Sequence, residues 1–326
     1  MIEERSSGSS TEEVLAELQR RCAFVMVSHV KPDGDTLGAG LALGIALKRL
    51  GKRVAYFQED PVPRNLRFLP DAHLAARRLP VDLPSDTLWV FCDMSSASRA
   101  GESLPTPARE NTLNIDHHLG NEHFGAYNYV LDNECSTGTV VMHLLRGLGV
   151  EIDEQIATCI LTTIMTDTGG FMHSNTTPSV LEISADLMRR GADKERITEE
   201  IFANKRLATV KLLGRIIDTM RLAHDARYAY AYVDDAMLAE CGADGEDTED
   251  TVNVLRSIEG VEVAALFKAF DGEVRVSLRS SGRVSVQAAA ARLGGGGHFR
   301  ASGLTHRGTL DEAISAVDAA LVAEGL

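Results

Sequence analysis

Four separated clusters of aspartate and histidine dominate the chemistry open to this chain. The first is His29-Val30-Lys31-Pro32-Asp33-Gly34-Asp35, and the second is Asp93, which ends the apolar run Trp89–Cys92. The third is Asp116-His117-His118, and the fourth is Thr166-Asp167-Thr168-Gly169-Gly170-Phe171. Carboxylate oxygens with a few imidazoles suit hard or borderline divalent ions such as Mn²⁺ or Mg²⁺, whereas thiolate-rich sets select Zn²⁺. The ligand candidates are His29, Asp33, Asp35, Asp93, His117 and Asp167, and no cysteine occupies a matching position. A carboxylate that bridges can hold two ions about 3.5–4 Å apart, and such a pair clamps the attacking and leaving oxygens of phosphoryl transfer. In Asp33-Gly34-Asp35, a glycine that turns the backbone sharply would aim two carboxylates at two different ions.

Each cluster also has an ordinary reading. Pro-Asp-Gly-Asp is a common turn; Asp167 can cap a helix end, Asp93 can cap a strand end, and adjacent histidines can be surface residues. Their shared placement favours the metal site. Cys22–Ser28 is an apolar run suited to a strand buried on both faces, and His29–Asp35 is the turn after it. Thr36–Leu50 reads as a helix stopped by Gly51, while Val54–Phe57, Leu88–Cys92 and Thr112–Ile115 read as further strands. Strands alternating with helices predict an α/β fold: an open parallel sheet with helices on both faces, binding its ligand at the carboxyl ends of the strands. His29–Asp35, Asp93 and Asp116–His118 all fall at those ends.

Ser10-Thr11-Glu12-Glu13 is a capping box opening a first helix. From Ser136 to about Arg221 the chain reads as mostly helical, including a helix from Pro178 to near Gly191. Tyr228–Val233, Val261–Phe270 and Val274–Leu278 read as strands, the acidic stretch Gly242–Asp250 as a solvated loop and helix start, and Thr309–Glu312 as the cap of a last helix. These elements predict a catalytic domain over 1–190, a helical linker over 191–225 and a smaller α/β domain over 226–326. In that last domain Leu293-Gly294-Gly295-Gly296-Gly297-His298 follows the helix-like Ser285–Arg292. A glycine run is often a plain loop. It also permits backbone N–H groups to approach an anion closely, with Arg279 able to grip a phosphate through two hydrogen bonds.

The 326 residues, 44% hydrophobic, suffice for roughly two domains of about 100–200 residues each. No apolar run approaches the ~18 residues of a membrane span. Met1–Ser7 reads as a flexible lead-in without the order of a secretion signal. Five cysteines without C-x-x-C spacing, most in apolar stretches, predict reduced, buried thiols and a cytoplasmic location. A net charge of −14 opposes the wrapping of long duplex nucleic acid. A short anionic substrate remains compatible, because bound divalent ions reverse the local field.

Taken together, these motifs resemble the DHH phosphoesterase superfamily, in its two-domain nanoRNase/pAp phosphatase branch with a DHH-associated C-terminal domain. The resemblance runs from about residue 20 to 324. Ser28–Asp35, Asp93, Asn114–His118 with Asn121 and Phe124-Gly125, and Thr166–Phe171 with Ser174–Pro178 match its four metal motifs. Arg279-Ser280 and Gly294–His298, followed by Ala301-Ser302-Gly303, are similar to the nucleotide-binding signature. The resemblance implies a Mn²⁺ site of two ions, with Mg²⁺ or Co²⁺ as substitutes. His29, Asp33 and Asp93 would hold one ion, and Asp35, Asp93, His117 and Asp167 the other, with Asp93 bridging. His118 would contact the scissile phosphate and Asp116 would orient the histidines. Arg279, Ser280, Gly295, Gly296, Gly297 and His298 would bind the substrate nucleotide, which would then span both domains. The implied reaction cleaves very short single-stranded RNA to nucleoside 5′-monophosphates and 3′-phosphoadenosine 5′-phosphate to AMP. Alternatives are a phosphodiesterase for cyclic or linear dinucleotides and a non-catalytic nucleotide sensor, and a homodimer is compatible. Two positions depart from the pattern: Gly120, where Ser is common, and Met172-His173, where Arg or Lys stands beside an aromatic.

Overall fold

The computed structural model describes residues 8–270 and 272–326, apart from the side chain of His298; the lead-in Met1–Ser7 lies outside them. Two compact units result, Met1–Asn204 and Lys205–Leu326. The segment 191–225, expected as a separate linker, is shared between them.

In the first unit, α1 (Thr11–Arg20) starts at a capping box in which Ser10 and Glu13 satisfy each other's backbone N–H groups. There follow β1 (Ala23–Val27), α2 (Gly34–Arg49), β2 (Arg53–Phe57), β3 (Ala75–Ala76), β4 (Leu88–Cys92), β5 (Thr112–Asp116) and β6 (Tyr127–Val130). The helices α3 (Thr137–Gly147), α4 (Glu154–Asp167), α5 (Pro178–Arg189) and α6 (Lys194–Ile197) complete it, with a π-helical turn at Thr198–Ala203. The strands form one sheet in the order β3-β2-β1-β4-β5-β6, and every pairing is parallel. The chain therefore lays β1, β2 and β3 outward on one side and returns to place β4 on the other side of β1. In such sheets the crevice at this reversal, outside the strands' carboxyl ends, is where ligands bind.

Side chains alternate across β1. Phe24 and Met26 face a core built with Leu18 of α1, Leu41 of α2, Val141 of α3 and Ile160 of α4. Val25 and Val27 face a second core with Phe57, Phe91, Met94 and Ala100, against which Leu79, Leu83, Leu104 and Phe124 pack. The latter come from segments between strands, so connecting chain covers a face where helices were expected. Gly34 also departs from its expected role. It opens α2 without a left-handed φ, and a Cβ there would run into Thr166 of α4. Its use is close helix approach rather than a sharp turn.

The second unit consists of α7 (Leu207–Asp218), β7 (Arg221–Ala223), β8 (Tyr228–Asp234), α8 (Asp235–Cys241), α9 (Thr251–Arg256), β9 (Val263–Phe270) and β10 (Glu273–Ser280), then α10 (Val286–Arg292), β11 (Gly296–His298), β12 (Ala301–His306) and α11 (Leu310–Ala323). Its mixed sheet has the order β11-β12-β10-β9-β8-β7. Val276, Leu278, Ala289 and Val317 pack on one face, and Leu212, Ile216, Met237, Leu255 and Leu266 on the other. The acidic stretch is less solvated than expected: Asp247 is buried, and accepts hydrogen bonds from Arg206 Nη1 (2.7 Å) and Thr209 Oγ1 (2.5 Å). Cys92, Cys135 and Cys159 are buried thiols, whereas Cys22 is exposed at the start of β1, where the apolar run meets solvent. Among the described residues no helix is long and apolar enough to cross a membrane.

Candidate metal centre

The reversal point of the first sheet lies between β1 and β4, and each strand ends there in a chemically active residue. His29 follows β1, is buried, and has its Nδ1 2.8 Å from the Val30 carbonyl, which accepts the ring proton and turns Nε2 inward. That Nε2 makes no hydrogen bond. Asp33 Oδ2 lies 3.6 Å away from it and Asp93 Oδ2 3.4 Å. Asp93 follows β4 with φ at 60°, and its N–H donates to Ile115 at 3.0 Å, fixing the turn against β5. Thr36 locks the two strand ends together. Its Oγ1 accepts from the His29 N–H (3.3 Å) and donates to the Cys92 carbonyl (2.7 Å).

Asp33 is the N-cap of α2. One carboxylate oxygen, Oδ1, accepts from the N–H groups of Asp35 (3.0 Å) and Thr36 (3.1 Å), which leaves Oδ2 to face His29. Asp35, two residues on in the first turn of α2, is fully buried, and its two oxygens accept the backbone N–H groups of Thr137 (2.7 Å) and Gly138 (3.1 Å). Those groups open α3, so the positive end of its dipole lies against the carboxylate. A Cβ on Gly138 would collide with Thr163 of α4, and its absence lets the three helices meet at the site. Neither Thr137 nor Gly138 was among the sequence candidates. Their contribution is a backbone donor, visible in the sequence only as a Ser136-Thr137-Gly138 helix start.

His117 follows β5. Its Nδ1–H donates to the Glu134 carbonyl at 3.2 Å, and its Nε2 faces Asp167 Oδ2 (3.1 Å), Asp35 Oδ2 (3.6 Å) and Asp93 Oδ1 (3.7 Å). Asp167 is the last residue of α4. His118 Nδ1 lies 2.6 Å from Asp116 Oδ1 and 3.4 Å from Asp93 Oδ1. Asp116 is buried and also accepts from Asn121 Nδ2 at 2.5 Å. The six ligand candidates and the pair Asp116–His118 are thus gathered at one place.

Asp93 divides this cluster. Its Oδ2 points to His29 and its Oδ1 to His117 and His118, with Thr137 Oγ1 donating to Oδ1 at 3.2 Å. The ligand atoms fall into overlapping sets, His29–Asp33–Asp93, Asp93–His117–His118 and Asp35–His117–Asp167, each within 4.8 Å. Two donors at about 2.1 Å from one ion lie roughly 3–4.2 Å apart, depending on the angle. The separations of 3.1–3.7 Å match that spacing and exceed a charge-assisted hydrogen bond of about 2.7–2.9 Å. Four carboxylates with two imidazoles, and a buried Nε2 without a partner, fit two divalent cations in charge and in donor type.

Titration reflects the crowding of negative charge. Burial, and then the charges of Asp167 and Asp93, push the Asp35 carboxyl well above its ordinary value. Burial pushes Asp167 up to about 6, although a hydrogen bond from His117 pulls the other way. For His29 and His117, burial opposes the charged form. The surrounding carboxylates outweigh it, pushing His29 up to about 10 and His117 up to about 11. Protons on the two imidazoles offset part of the carboxylate charge.

In the second unit, Arg279 pairs with Ala301 across β10 and β12, and Ala301 pairs with His298 across β12 and β11. One cross-strand row thus holds Arg279 and residue 298. Burial lowers the Arg279 guanidinium from its ordinary value, against the pull of Glu249 and Asp250. Ser280 is buried with its Oγ accepting the Gly282 N–H (3.0 Å), which shapes the turn after β10. Gly296 and Gly297 form strand β11 with His298 rather than an open loop. A Cβ on Gly295 would strike the Gly303 carbonyl and one on Gly297 the Ala301 carbonyl, whereas Gly296 faces open space.

A parallel sheet with carboxylates and imidazoles massed at its reversal point defines a metal-dependent α/β hydrolase. Residues 23–164 match the model of the DHH family, N-terminal domain, and residues 225–323 that of the DHHA1 domain. The chain is 37% identical to the bifunctional oligoribonuclease and PAP phosphatase NrnA of Thermus thermophilus, over 90% of this chain and 87% of that one. It is 25% identical to the protein of the same name from Bacillus subtilis, over 86% and 88%. A crystal structure of an exopolyphosphatase-related protein from Bacteroides fragilis superposes with a TM-score of 0.87 and 27% identity, covering 96% and 95% of the two chains. The chain belongs to the DHH phosphoesterase family, with a C-terminal DHHA1 domain.

Proposed function

We propose that this phosphoesterase uses two Mn²⁺ ions to hydrolyse very short RNA to nucleoside 5′-monophosphates, and 3′-phosphoadenosine 5′-phosphate to AMP. Both are one reaction, since water attacks phosphorus and the bond to a ribose 3′-oxygen breaks. The carrying observation is the division of Asp93, whose two oxygens face two separate ligand sets. His29, Asp33 and Asp93 hold one ion in this reading, and Asp35, Asp93, His117 and Asp167 the other. Bound there, divalent ions would polarise the phosphoryl group and lower the pKa of water toward about 7. His118, oriented by Asp116, contacts a phosphoryl oxygen and helps neutralise its growing charge. Arg279, Gly295 and the strand Gly296–His298 bind the nucleotide, a role supported by the cross-strand row that holds Arg279 and residue 298; Ser280 holds the adjoining turn. The substrate classes are those named for the relatives from Thermus thermophilus and Bacillus subtilis. Buried free thiols at Cys92, Cys135 and Cys159 favour a reducing, cytoplasmic setting.

The test is product analysis. A 5′-phosphorylated dinucleotide and 3′-phosphoadenosine 5′-phosphate should yield mononucleotides and AMP with Mn²⁺ and nothing with chelator. Unchanged substrates alongside rapid cleavage of a cyclic dinucleotide would replace this reading.

A further inference from the structure

Asn175 lies on the loop between α4 and α5, and its amide group bridges two stretches of backbone. Its Nδ2 donates to the carbonyl of Asp167 and to that of Cys135, each at 3.3 Å. Only the nitrogen of the amide can face two carbonyl oxygens, since each must receive a hydrogen and Oδ1 carries none. Oδ1 is therefore turned away, and it is buried without a hydrogen-bond partner among the described residues. The loop is folded for this contact. Gly169, Gly170 and Phe171 have φ of 58°, 68° and 71°, which sends the chain back over the end of α4. The carbonyl and hydroxyl of Thr168 then accept the N–H groups of His173 (2.9 Å) and Phe171 (3.1 Å). A left-handed φ at a bulky residue persists only where its surroundings fix it.

The two carbonyls belong to the backbone that supports one ligand set. Asp167 is the last residue of α4, where a carbonyl has no partner within the helix. Cys135 sits between Glu134, whose carbonyl accepts the His117 Nδ1–H at 3.2 Å, and the start of α3, whose Thr137 and Gly138 N–H groups hold Asp35. Asp35, His117 and Asp167 are thus carried by two backbone segments, and the Asn175 amide joins those segments. The other set is held elsewhere, His29 by the Val30 carbonyl and Asp33 by the first turn of α2. We propose that Asn175 is a positioning residue for the ion site of Asp35, His117 and Asp167, keeping the end of α4 in register with the segment before α3. This rests on the two-ion reading above.

The experiment compares wild type with Asn175→Ala and with Asn175→Leu, which keeps a branched side chain of similar size and removes both donors. Mn²⁺ titration, with the free ion counted by electron paramagnetic resonance, is one readout. Imidazole ¹⁵N spectra of the metal-free protein are the other. Both variants should bind one ion as wild type does and the other about 10- to 100-fold more weakly, as expected for loss of a residue that orients a ligand. The ring signals of His117 should move while those of His29 stay in place. Equal weakening of both ions, or of neither, would overturn the assignment, as would shifts shared by His29 and His117. So would failure of both variants to fold, since Asn175 would then support the whole unit. A wild-type chain that binds fewer than two ions would overturn the two-ion reading instead, and the imidazole spectra would still decide the role of Asn175.

Discussion

Asp35 Oδ2 accepts the backbone N–H of Thr137 at 2.7 Å, so a carboxylate at the bottom of the centre is held by the first turn of a helix from elsewhere in the chain. Thr137 is the first residue of α3, after the N-cap Ser136. Proline is tolerated at that position, where the N–H has no partner within the helix. Thr137→Pro should therefore keep the helix and remove one donor from Asp35. Hydrogen bonds to charged groups contribute about 1.5–3 kcal/mol, so Mn²⁺ affinity should fall at least about tenfold by calorimetry. Thr137→Ala, which loses only the hydroxyl bond to Asp93, is the milder control. Equal affinity in wild type and Thr137→Pro would show that the helix terminus does not support the site.

Gly138→Ala probes the packing that brings the helices together. The added Cβ meets Thr163, and overpacking costs about 1–3 kcal/mol. Thermal denaturation should show a clear loss in melting temperature, and Mn²⁺ binding should weaken as Asp35 loses alignment. An unchanged melting temperature would mean that α3 and α4 have room to separate.

The pH dependence has a definite sign. His29 and His117, pushed up to about 10 and 11, lie above the ~6.5 of an unfolded histidine. In metal-free protein their protonation adds stability that is fully present below about pH 6.5 and is lost as pH rises through 10 to 11. Asp167, pushed up to about 6, adds a loss of the same sign between about pH 4 and 6. Metal ligation requires neutral imidazole, so binding releases protons and tightens as pH rises. Calorimetry at pH 7.5 in buffers of different ionisation enthalpy should count at least about one proton released per chain. A count of zero would contradict the raised histidines.

Much of the candidate centre was legible because three of its candidate ligands, His29, Asp93 and His117, follow strand-like runs. His29 and Asp93 each follow an apolar run, and parallel pairing of β1 with β4 brings them together. What supports those candidates was not legible. The Thr137 and Gly138 donors belong to the backbone, and Gly34 and Gly138 serve through space they leave empty. The short strands Ala75–Ala76 and Tyr127–Val130 escaped for lack of length. Strand β11 escaped because glycine disfavours strands unless a neighbouring backbone approaches closely, as that of β12 does. The covering of Val25 and Val27 was hidden because irregular chain carries no periodicity.

Substitution in the second unit should separate capture from chemistry. Arg279→Ala should raise KM for the dinucleotide by the equivalent of about 1.5–3 kcal/mol, with kcat and metal content little changed. Loss of bound Mn²⁺ in this variant would remove Arg279 from substrate binding.

Substrate length follows from charge. A long strand must extend over a chain of net charge −14, which opposes its phosphate backbone. Hydrolysis should be fastest at about two to four nucleotides and decline steeply beyond. A mixture of labelled dinucleotide and a much longer strand tests this, and equal rates would favour a processive exonuclease.

The most direct measurement removes the carboxylate that divides the two ligand sets. Asp93→Ala takes away both oxygens without opening a large cavity in the core, so the protein should remain folded. Calorimetry should find two Mn²⁺ bound per wild-type chain and fewer in the variant, and hydrolysis of the dinucleotide should nearly vanish. A folded variant that keeps more than about a tenth of wild-type activity, a barrier change under ~1.4 kcal/mol, would contradict a centre built on a shared Asp93.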